Sequence, residues 1–406
     1  MTVKHFFKIG HVPTFVSSLM YFDISFMIWM ILGSTGTFIA EHLELTSAEK
    51  GLMVAIPVLG GALLRIPMGL LADRLGGKKM GIIGMILTMV PLIWGWLLAD
   101  GLNEIYALGF LLGIAGASFA VALPLASRWY PKEYRGLAMG ITGAGNSGTV
   151  LATLFGPRLA ETYGWNAVFG LALIPLFIVL VIFCLCAKDC PTAIRPTKIV
   201  EYQRVLRRKE TWLFSFFYSL SFGGFAGLTS YLSIFFLDQY DLDKVTAGDL
   251  VTFIVLAGSC ARPIGGYLGD RYGGLSMLFW LFIGAFVTLF LAGILPPLYV
   301  SIPLLLATFL FLGSANGAVF QAISEYFMKE VGLLTGIVGA AGGLGGFFLP
   351  NILGMFKQWT NSYMYGFWLI SAAVLTAVYL VAKLQKGIAH DRRQKEEQIE
   401  TATSLK

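Results

Sequence analysis

Charged residues are scarce in this sequence. Asp, Glu, Lys and Arg make up 13% of its 406 residues, whereas soluble globular domains carry about 25%. Hydrophobic residues make up 57%, and the mean hydropathy is +0.75. Because the deficit of charge extends over the whole length, the composition excludes an ordinary soluble domain and predicts a protein that crosses a membrane many times.

Cysteine and histidine are also rare, with four of each. The cysteines have no histidine partners at metal-ligand spacing, so we expect reduced thiols and no metal site. The polar residues within the apolar segments include no nucleophile paired with a base and no phosphate-binding loop. We therefore expect neither an enzyme nor a bound cofactor.

Twelve stretches are long and apolar enough to span a membrane, which takes about 20 residues. They are residues 14–40, 48–72, 79–99, 104–128, 136–158, 164–187, 211–238, 246–269, 275–295, 298–326, 331–356 and 362–384. The longest polar break between them, residues 188–210, contains Pro191, Pro196 and seven basic residues. This pattern predicts two six-helix halves, residues 1–187 and 211–385, a linker (188–210) and a polar tail (386–406).

The basic residues predict the orientation, because cytoplasmic loops are enriched in Lys and Arg. Apart from two arginines deep within the spans, only four basic residues fall on the side of the loops after odd-numbered spans, and these are Lys50, Arg158, Lys244 and Lys357. The termini, the linker and the other loops hold the rest. We expect both termini and the linker on the cytoplasmic side of a bacterial cell membrane. The basic excess is then a topology signal, and we expect no nucleic-acid partner.

One segment occurs twice, with an offset of 197 residues. The first copy reads Arg65-Ile-Pro-Met-Gly-Leu-Leu-Ala-Asp73-Arg74-Leu-Gly76-Gly77, and the second reads Arg262-Pro-Ile-Gly-Gly-Tyr-Leu-Gly-Asp270-Arg271-Tyr-Gly273-Gly274. Each Asp-Arg pair falls at the cytoplasmic edge of a span. We interpret these pairs as gating residues whose charge contacts to helix ends hold one conformation.

The two arginines of the repeat lie deep in the membrane. Each is eight residues inside its Asp-Arg pair, or about 12 Å at the helical rise, and half of the hydrocarbon core is about 15 Å. A charge there costs about 2.5–3.5 kcal/mol. Asp23 is the only acid well inside a span, and one carboxylate cannot neutralise two arginines in opposite halves. We predict that Arg65 and Arg262 jointly bind a small planar oxyanion, which suits the arginine fork.

Three aromatic residues fall at a similar depth, namely Phe119, Tyr218 and Phe222. Phenylalanine in such a chain is usually core or lipid contact, but Tyr218 and Phe222 share one helix face at i and i+4. A planar anion could stack between such rings. In the fifth span, Asn146 is a polar amide that needs a partner, and both a substrate contact and a bond to a neighbouring helix stay open.

Two glycine-rich runs occupy equivalent positions in the halves. The first run covers residues 140–148 in the fifth span, and the second covers residues 336–346 in the eleventh. Small residues at this spacing let helix backbones approach closely.

These features together resemble the nitrate/nitrite porter family of the major facilitator superfamily, most nearly the assimilatory nitrate transporters of Bacillus-type bacteria. The repeated loop resembles the superfamily's loop motif. The glycine runs resemble the family's nitrate signatures through Gly143, Gly145, Gly148, Gly336, Gly339, Gly342, Gly343 and Gly346. The sequence departs from the pattern in that its first signature ends Ser147-Gly148-Thr149 rather than in a Gly-Gly pair.

The resemblance implies an all-α fold of 12 transmembrane helices in two pseudo-symmetric halves, with the substrate bound near the midplane. It implies an anion held by Arg65 and Arg262 between the rings of Phe119, Tyr218 and Phe222. We expect a monomeric carrier of nitrate, and also of nitrite, by proton-coupled uptake, with Asp23 as the candidate proton site. The alternatives are a nitrate/nitrite exchanger and another small-anion antiporter of the oxalate or formate type.

Overall fold

The protein is described by a computed structural model that covers residues 9–131, 138, 141–143, 147–191, 199–326 and 331–404. Within these residues every regular element is a helix. In chain order they are α1 Val12–Trp29, α2 Ile31–Ser34, α3 Gly36–His42, α4 Ser47–Leu75, α5 Gly77–Leu97, α6 Leu102–Gly116, α7 Phe119–Ser127, α8 Gly148–Tyr163, α9 Trp165–Cys186, α10 Ile199–Leu206, α11 Lys209–Tyr240, α12 Lys244–Tyr272, α13 Gly274–Ala292, α14 Leu298–Tyr326, α15 Val331–Thr360 and α16 Met364–Ser404.

Eleven candidate membrane spans occur in the described part of the chain. They correspond to the predicted spans except the fifth, residues 136–158, of which several residues lie outside the described ranges. The described end of that span is α8, which continues to Tyr163. The all-helical architecture is thus the predicted one.

The two arginine-bearing helices, α4 and α12, are built alike. Each has 29 residues, or about 43 Å, enough to cross a bilayer. A side-chain cap begins each helix, from Thr46 in α4 and Asp243 in α12. A glycine with positive φ ends each one, Gly76 at 94° and Gly273 at 88°. Because this backbone conformation favours glycine, the repeated Gly-Gly terminates both helices at matching positions.

The first span is segmented rather than continuous over residues 14–40. Helix α1 ends at Trp29, and α2 and α3 follow after breaks at Met30 and Thr35. The Ser34 and Thr35 hydroxyls both donate to the Ile31 carbonyl, at 3.0 and 2.7 Å. Side-chain bonds of this kind often bend helices.

Buried apolar side chains from both halves form one continuous cluster. The halves meet where α4 packs along α15 and where α8 packs along α12. Backbones come close at glycines: a Cβ on Gly51 would lie 2.6 Å from the Pro350 carbonyl oxygen, and one on Gly248 would lie 2.6 Å from Pro157. The second and eleventh predicted spans, and the fifth and eighth, therefore form the contact between the halves.

The predicted polar tail does not separate from the twelfth span. Helix α16 runs from Met364 to Ser404 without interruption. Residues 388–404 are rich in Glu, Gln, Lys and Arg, which favour helix. The helical pattern therefore continues past the apolar segment.

Candidate functional site

Arg65 is buried within the protein and is 2% exposed. Its guanidinium donates from Nη1 to the carbonyl of Gly339 in α15 and from Nη2 to the carbonyl of Gly116 at 3.0 Å. Its Nε has no hydrogen-bond partner among the described residues. The guanidinium carbon also lies 4.8 Å from the ring centre of Phe119 and 5.8 Å from that of Phe222. This buried cation therefore retains donor capacity and is flanked by two aromatic faces.

A helix break supplies one of these acceptors. The fourth predicted span, residues 104–128, consists of α6 and α7, with Ala117 and Ser118 between them. In an unbroken helix the N–H of Ala120 would donate to Gly116, but here it donates to the Ala117 carbonyl at 3.0 Å. The Gly116 carbonyl is thereby left for Arg65.

Arg262 approaches from the opposite half and is only partly buried. Its Nη1 lies 3.5 Å from the Gly143 carbonyl, and its Nη2 lies 3.5 Å from the Tyr218 hydroxyl. Both distances are at the long limit for a hydrogen bond. The five donors of this arginine are therefore weakly engaged by the described residues and can turn to a ligand.

The predicted aromatic residues come together around the arginines. The rings of Tyr218 and Phe222 are stacked at 5.2 Å with an interplanar angle of 5°. Phe320 of α14 joins them, 4.8 Å from Tyr218 and nearly parallel to Phe119 at 6.4 Å. Phe320 was not among the predicted site residues, although it lies six residues, about 9 Å, inside the end of α14, at a depth similar to that of the predicted rings.

Asp23 does not pair with either arginine. It accepts a hydrogen bond from the Ser147 hydroxyl at 2.7 Å and one from the Gly148 N–H. Gly148 is the first residue of α8, so the carboxylate caps that helix. A Cβ on Gly148 would overlap the Asp23 carbonyl, which explains the glycine at this place in the first run. Asn146 and Gly145 lie outside the described residues.

The glycines of the second run differ in what surrounds them. A Cβ on Gly342 would lie 2.5 Å from Tyr218, one on Gly343 2.7 Å from Ala62, and one on Gly346 2.8 Å from Val58. By contrast, a Cβ on Gly339 would meet Arg65 only at 3.4 Å, and one on Gly336 would meet nothing within 4 Å. Close packing therefore requires glycine at only part of the run.

The four predicted gating residues have different surroundings. Asp73 forms an ion pair of 2.5 Å with Arg128, just past the end of α7. Arg271 lies over the ring of its neighbour Tyr272 at 5.4 Å. Among the described residues, Arg74 and Asp270 form no ion pair. The contact at Asp73 lies within the N-terminal half.

In the part of the chain that the structure describes, three ion pairs join the two halves on the predicted outer side. Lys50 pairs with Asp238 at 3.1 Å, Lys244 pairs with Glu41, and Arg158 holds Asp249 through two bonds of 2.6 and 2.8 Å. In the sequence, these lysines and Arg158 indicated only the orientation of the protein in the membrane. Their partners come from distant segments, so the pairing had no local signal.

Comparisons with known proteins identify the family of this chain. Residues 17–350 match the Major Facilitator Superfamily. The nitrite extrusion protein of Bacillus subtilis is 35% identical over 360 residues, which cover 88% of this chain and 90% of the relative. The chain belongs to the nitrate/nitrite porter family of the major facilitator superfamily. This porter is a multi-pass membrane protein of a transporter family and not an enzyme.

Further relatives of this porter come from other bacteria. The probable nitrate/nitrite transporter NarK2 of Mycobacterium tuberculosis is 34% identical, over 87% of this chain and 91% of the relative. The probable nitrate/nitrite antiporter NarK1 of Thermus thermophilus is 30% identical, over 85% of each chain. In fold, the porter is similar to a bacterial Spinster homologue in its inward-facing, unoccupied conformation, with a TM-score of 0.66 and 18% identity over 92% of this chain and 95% of that one.

Proposed function

We propose that this porter is a secondary active transporter that moves nitrate, and also nitrite, across the cytoplasmic membrane by alternating access. The observation that carries the proposal is the pair of arginines from opposite halves. Within the described ranges, the Nε–H of the buried Arg65 has no acceptor, and the contacts of Arg262 are long. Buried donors without acceptors favour a ligand that accepts hydrogen bonds and carries negative charge.

The proposed site is a flat slot. The ring centres of Phe119 and Phe222 lie 4.8 and 5.8 Å from the guanidinium carbon of Arg65, so a planar anion bonded to the arginine edge would lie beside aromatic faces. The Tyr218 hydroxyl lies 3.5 Å from Arg262 and supplies a neutral donor. Asn146 enters the proposed site from the sequence, as the polar amide of the fifth span that needs a partner.

The proposed transport cycle moves two halves, residues 1–187 and 211–385, around this slot. Both termini, the linker (188–210) and the tail (386–406) are cytoplasmic in the proposal. The outer ion pairs would hold the halves together outside, while Asp73, Arg74, Asp270 and Arg271 would act at the cytoplasmic edge. Bound anion would neutralise the facing arginines and help the halves close.

Uptake of an anion against an inside-negative potential costs about 2.3 kcal/mol per charge per 100 mV, so it requires coupling. Proton-coupled uptake is our first proposal, with Asp23 as the proton-linked group. Nitrate/nitrite exchange is the second, supported by the relatives named as a nitrite extrusion protein and as an antiporter. In an exchanger, outward nitrite would balance the charge of inward nitrate.

Uptake into proteoliposomes tests the proposal. Purified porter would be reconstituted with and without internal nitrite, and labelled nitrate would be followed under an imposed pH gradient. Uptake driven by the pH gradient alone is the expected result for symport, and uptake only with internal nitrite is the expected result for exchange. Uptake of oxalate or formate in place of nitrate would overturn the assigned substrate.

A further inference from the structure

We infer that Trp29 is a positioning residue that fixes the anion-binding geometry of Arg65, an inference that rests on the proposed function. Trp29 ends α1 and is 1% exposed. Large aromatic residues in apolar helices are usually part of the core, and no pattern in the sequence predicts another role for Trp29. Its neighbours, however, are the groups that hold Arg65.

The indole of Trp29 occupies a slot between two backbones. A Cβ on Gly61 of α4 would lie 2.9 Å from the indole Cζ2, and a Cβ on Gly116 of α6 would overlap the same ring. The indole Nε1–H donates to the Pro57 carbonyl at 2.6 Å. Because Trp can only donate through this nitrogen, the bond fixes the orientation of the ring within the slot.

Two of the groups around Arg65 rest on this ring. The Gly116 carbonyl accepts the bond from Arg65 Nη2, and Gly116 is in contact with the indole. The ring of Phe222, which lies 5.8 Å from the guanidinium of Arg65, is stacked on Trp29 at 6.4 Å with an interplanar angle of 15°. Trp29 therefore supports both an acceptor and an aromatic face.

A smaller side chain at residue 29 would leave space between α4 and α6. Close-packed interiors respond to such space with shifts of the lining groups. Phe222 and the Gly116 segment would move toward it, and the arginine fork would lose its orientation toward the anion. We therefore expect an effect on affinity and on the choice between three-oxygen nitrate and two-oxygen nitrite.

The test compares Trp29→Phe, Trp29→Leu and Trp165→Leu in proteoliposomes. For each variant, nitrate KM and Vmax, the nitrite concentration that halves nitrate uptake, and the thermal midpoint in detergent would be measured. Trp29→Leu should raise the KM for nitrate about tenfold or more and alter the ratio of nitrate affinity to nitrite affinity. The reason is that displacing the binding groups by about 1 Å strongly reduces the activity of such a site. Trp29→Phe keeps a stacked ring and should stay closer to the wild type.

Trp165 is the matched control, because it is also buried but packs on Phe169 and His42. Its variant should lower the thermal midpoint and leave KM unchanged. If Trp29→Leu changes only Vmax and the midpoint, as Trp165→Leu does, the inference is overturned. Where Trp29→Leu fails to accumulate, Trp29→Met replaces it, and an unchanged KM there overturns the inference equally. Absence of nitrate uptake by the wild type would instead overturn the proposed function.

Discussion

Arg65 and Gly339 are 274 residues apart in the sequence, and the guanidinium of the first donates to the carbonyl of the second. The contact crosses from one half to the other and reaches the second glycine run. Its counterpart is the longer contact from Arg262 to the carbonyl of Gly143 in the first run. Each arginine of the repeat thus reaches the glycine run of the opposite half. An anion bound by these arginines would compete with two carbonyls that join the halves.

Arg65→Lys and Arg262→Lys should each weaken nitrate binding by about tenfold or more, or at least about 1.4 kcal/mol. Lysine keeps the charge but loses the planar fork that bonds two acceptors at once. Equilibrium binding of labelled nitrate to purified protein measures the effect. Arg204→Lys, an exposed change on α10, is the control. Wild-type affinity in either site variant would exclude the paired-arginine site.

Local patterns in the sequence predicted much of the fold. The offset of 197 residues relates Arg65 to Arg262, and the structure extends the same offset to the helix caps at Thr46 and Asp243. The hydropathy of a span and the charge of a loop are each summed over many residues, so an error at one residue changes the prediction little. The all-α superfamily fold is confirmed by the match over residues 17–350.

The arrangement of the site was less predictable, because it depends on contacts between distant segments. The helix breaks after Gly116 although that position holds neither a proline nor a charged residue. The break nevertheless supplies the acceptor for Arg65. The slot for Trp29 requires glycines in two other helices. Ion pairs such as Arg158 with Asp249 require the halves to be docked. The roles of the predicted site residues stay predictions that the experiments here address.

Gly342→Ala should abolish or strongly reduce nitrate uptake, whereas Gly336→Ala should preserve it. A Cβ on Gly342 would lie 2.5 Å from Tyr218 and 3.0 Å from Phe222, so the Tyr218 ring would have to shift from its place in the site and the Phe222 ring would have to give slightly. Gly336 lies in the same helix with nothing within 4 Å of its Cβ position, and alanine favours helix. Initial uptake rates per reconstituted protein are the measurement. Equal rates for the two variants would contradict the steric explanation.

Neutralising an outer ion pair should shift the porter toward an outward-open conformation. Arg158 and Asp249 are each 42% exposed, so the pair contributes at most about 1 kcal/mol, or roughly a two- to fivefold change in population. The test uses a Ser230→Cys protein in which the four native cysteines are replaced. In this protein, Asp249→Asn should increase the rate at which an impermeant thiol reagent labels residue 230, by about the same two- to fivefold. Ser230 is buried, and a Cβ on Gly33 would lie 2.7 Å from its Cα.

The exchanged pair Arg158→Asp with Asp249→Arg should restore the slow labelling, because the opposite charges face each other again. Glu104→Gln is the control, since the Glu104 carboxylate accepts from the N–H of Asp100 within its own half. Faster labelling in the control, or no recovery in the exchanged pair, would show that this contact does not hold the halves together.

Asp23→Asn separates proton coupling from helix capping. Asparagine keeps the shape and an acceptor oxygen for Ser147 and Gly148, so the start of α8 should stay intact, but it cannot carry a proton through the cycle. If Asp23 is the proton-linked group, nitrate uptake driven by a pH gradient should fall to background while nitrate/nitrate counterflow continues. Ser147→Ala removes one bond to the carboxylate, keeps the titratable group and should retain gradient-driven uptake. Full gradient-driven uptake by Asp23→Asn would show that Asp23 acts only as a structural cap. Because Asp23 is the one carboxylate that the sequence places well inside a span, that result would favour exchange with internal nitrite.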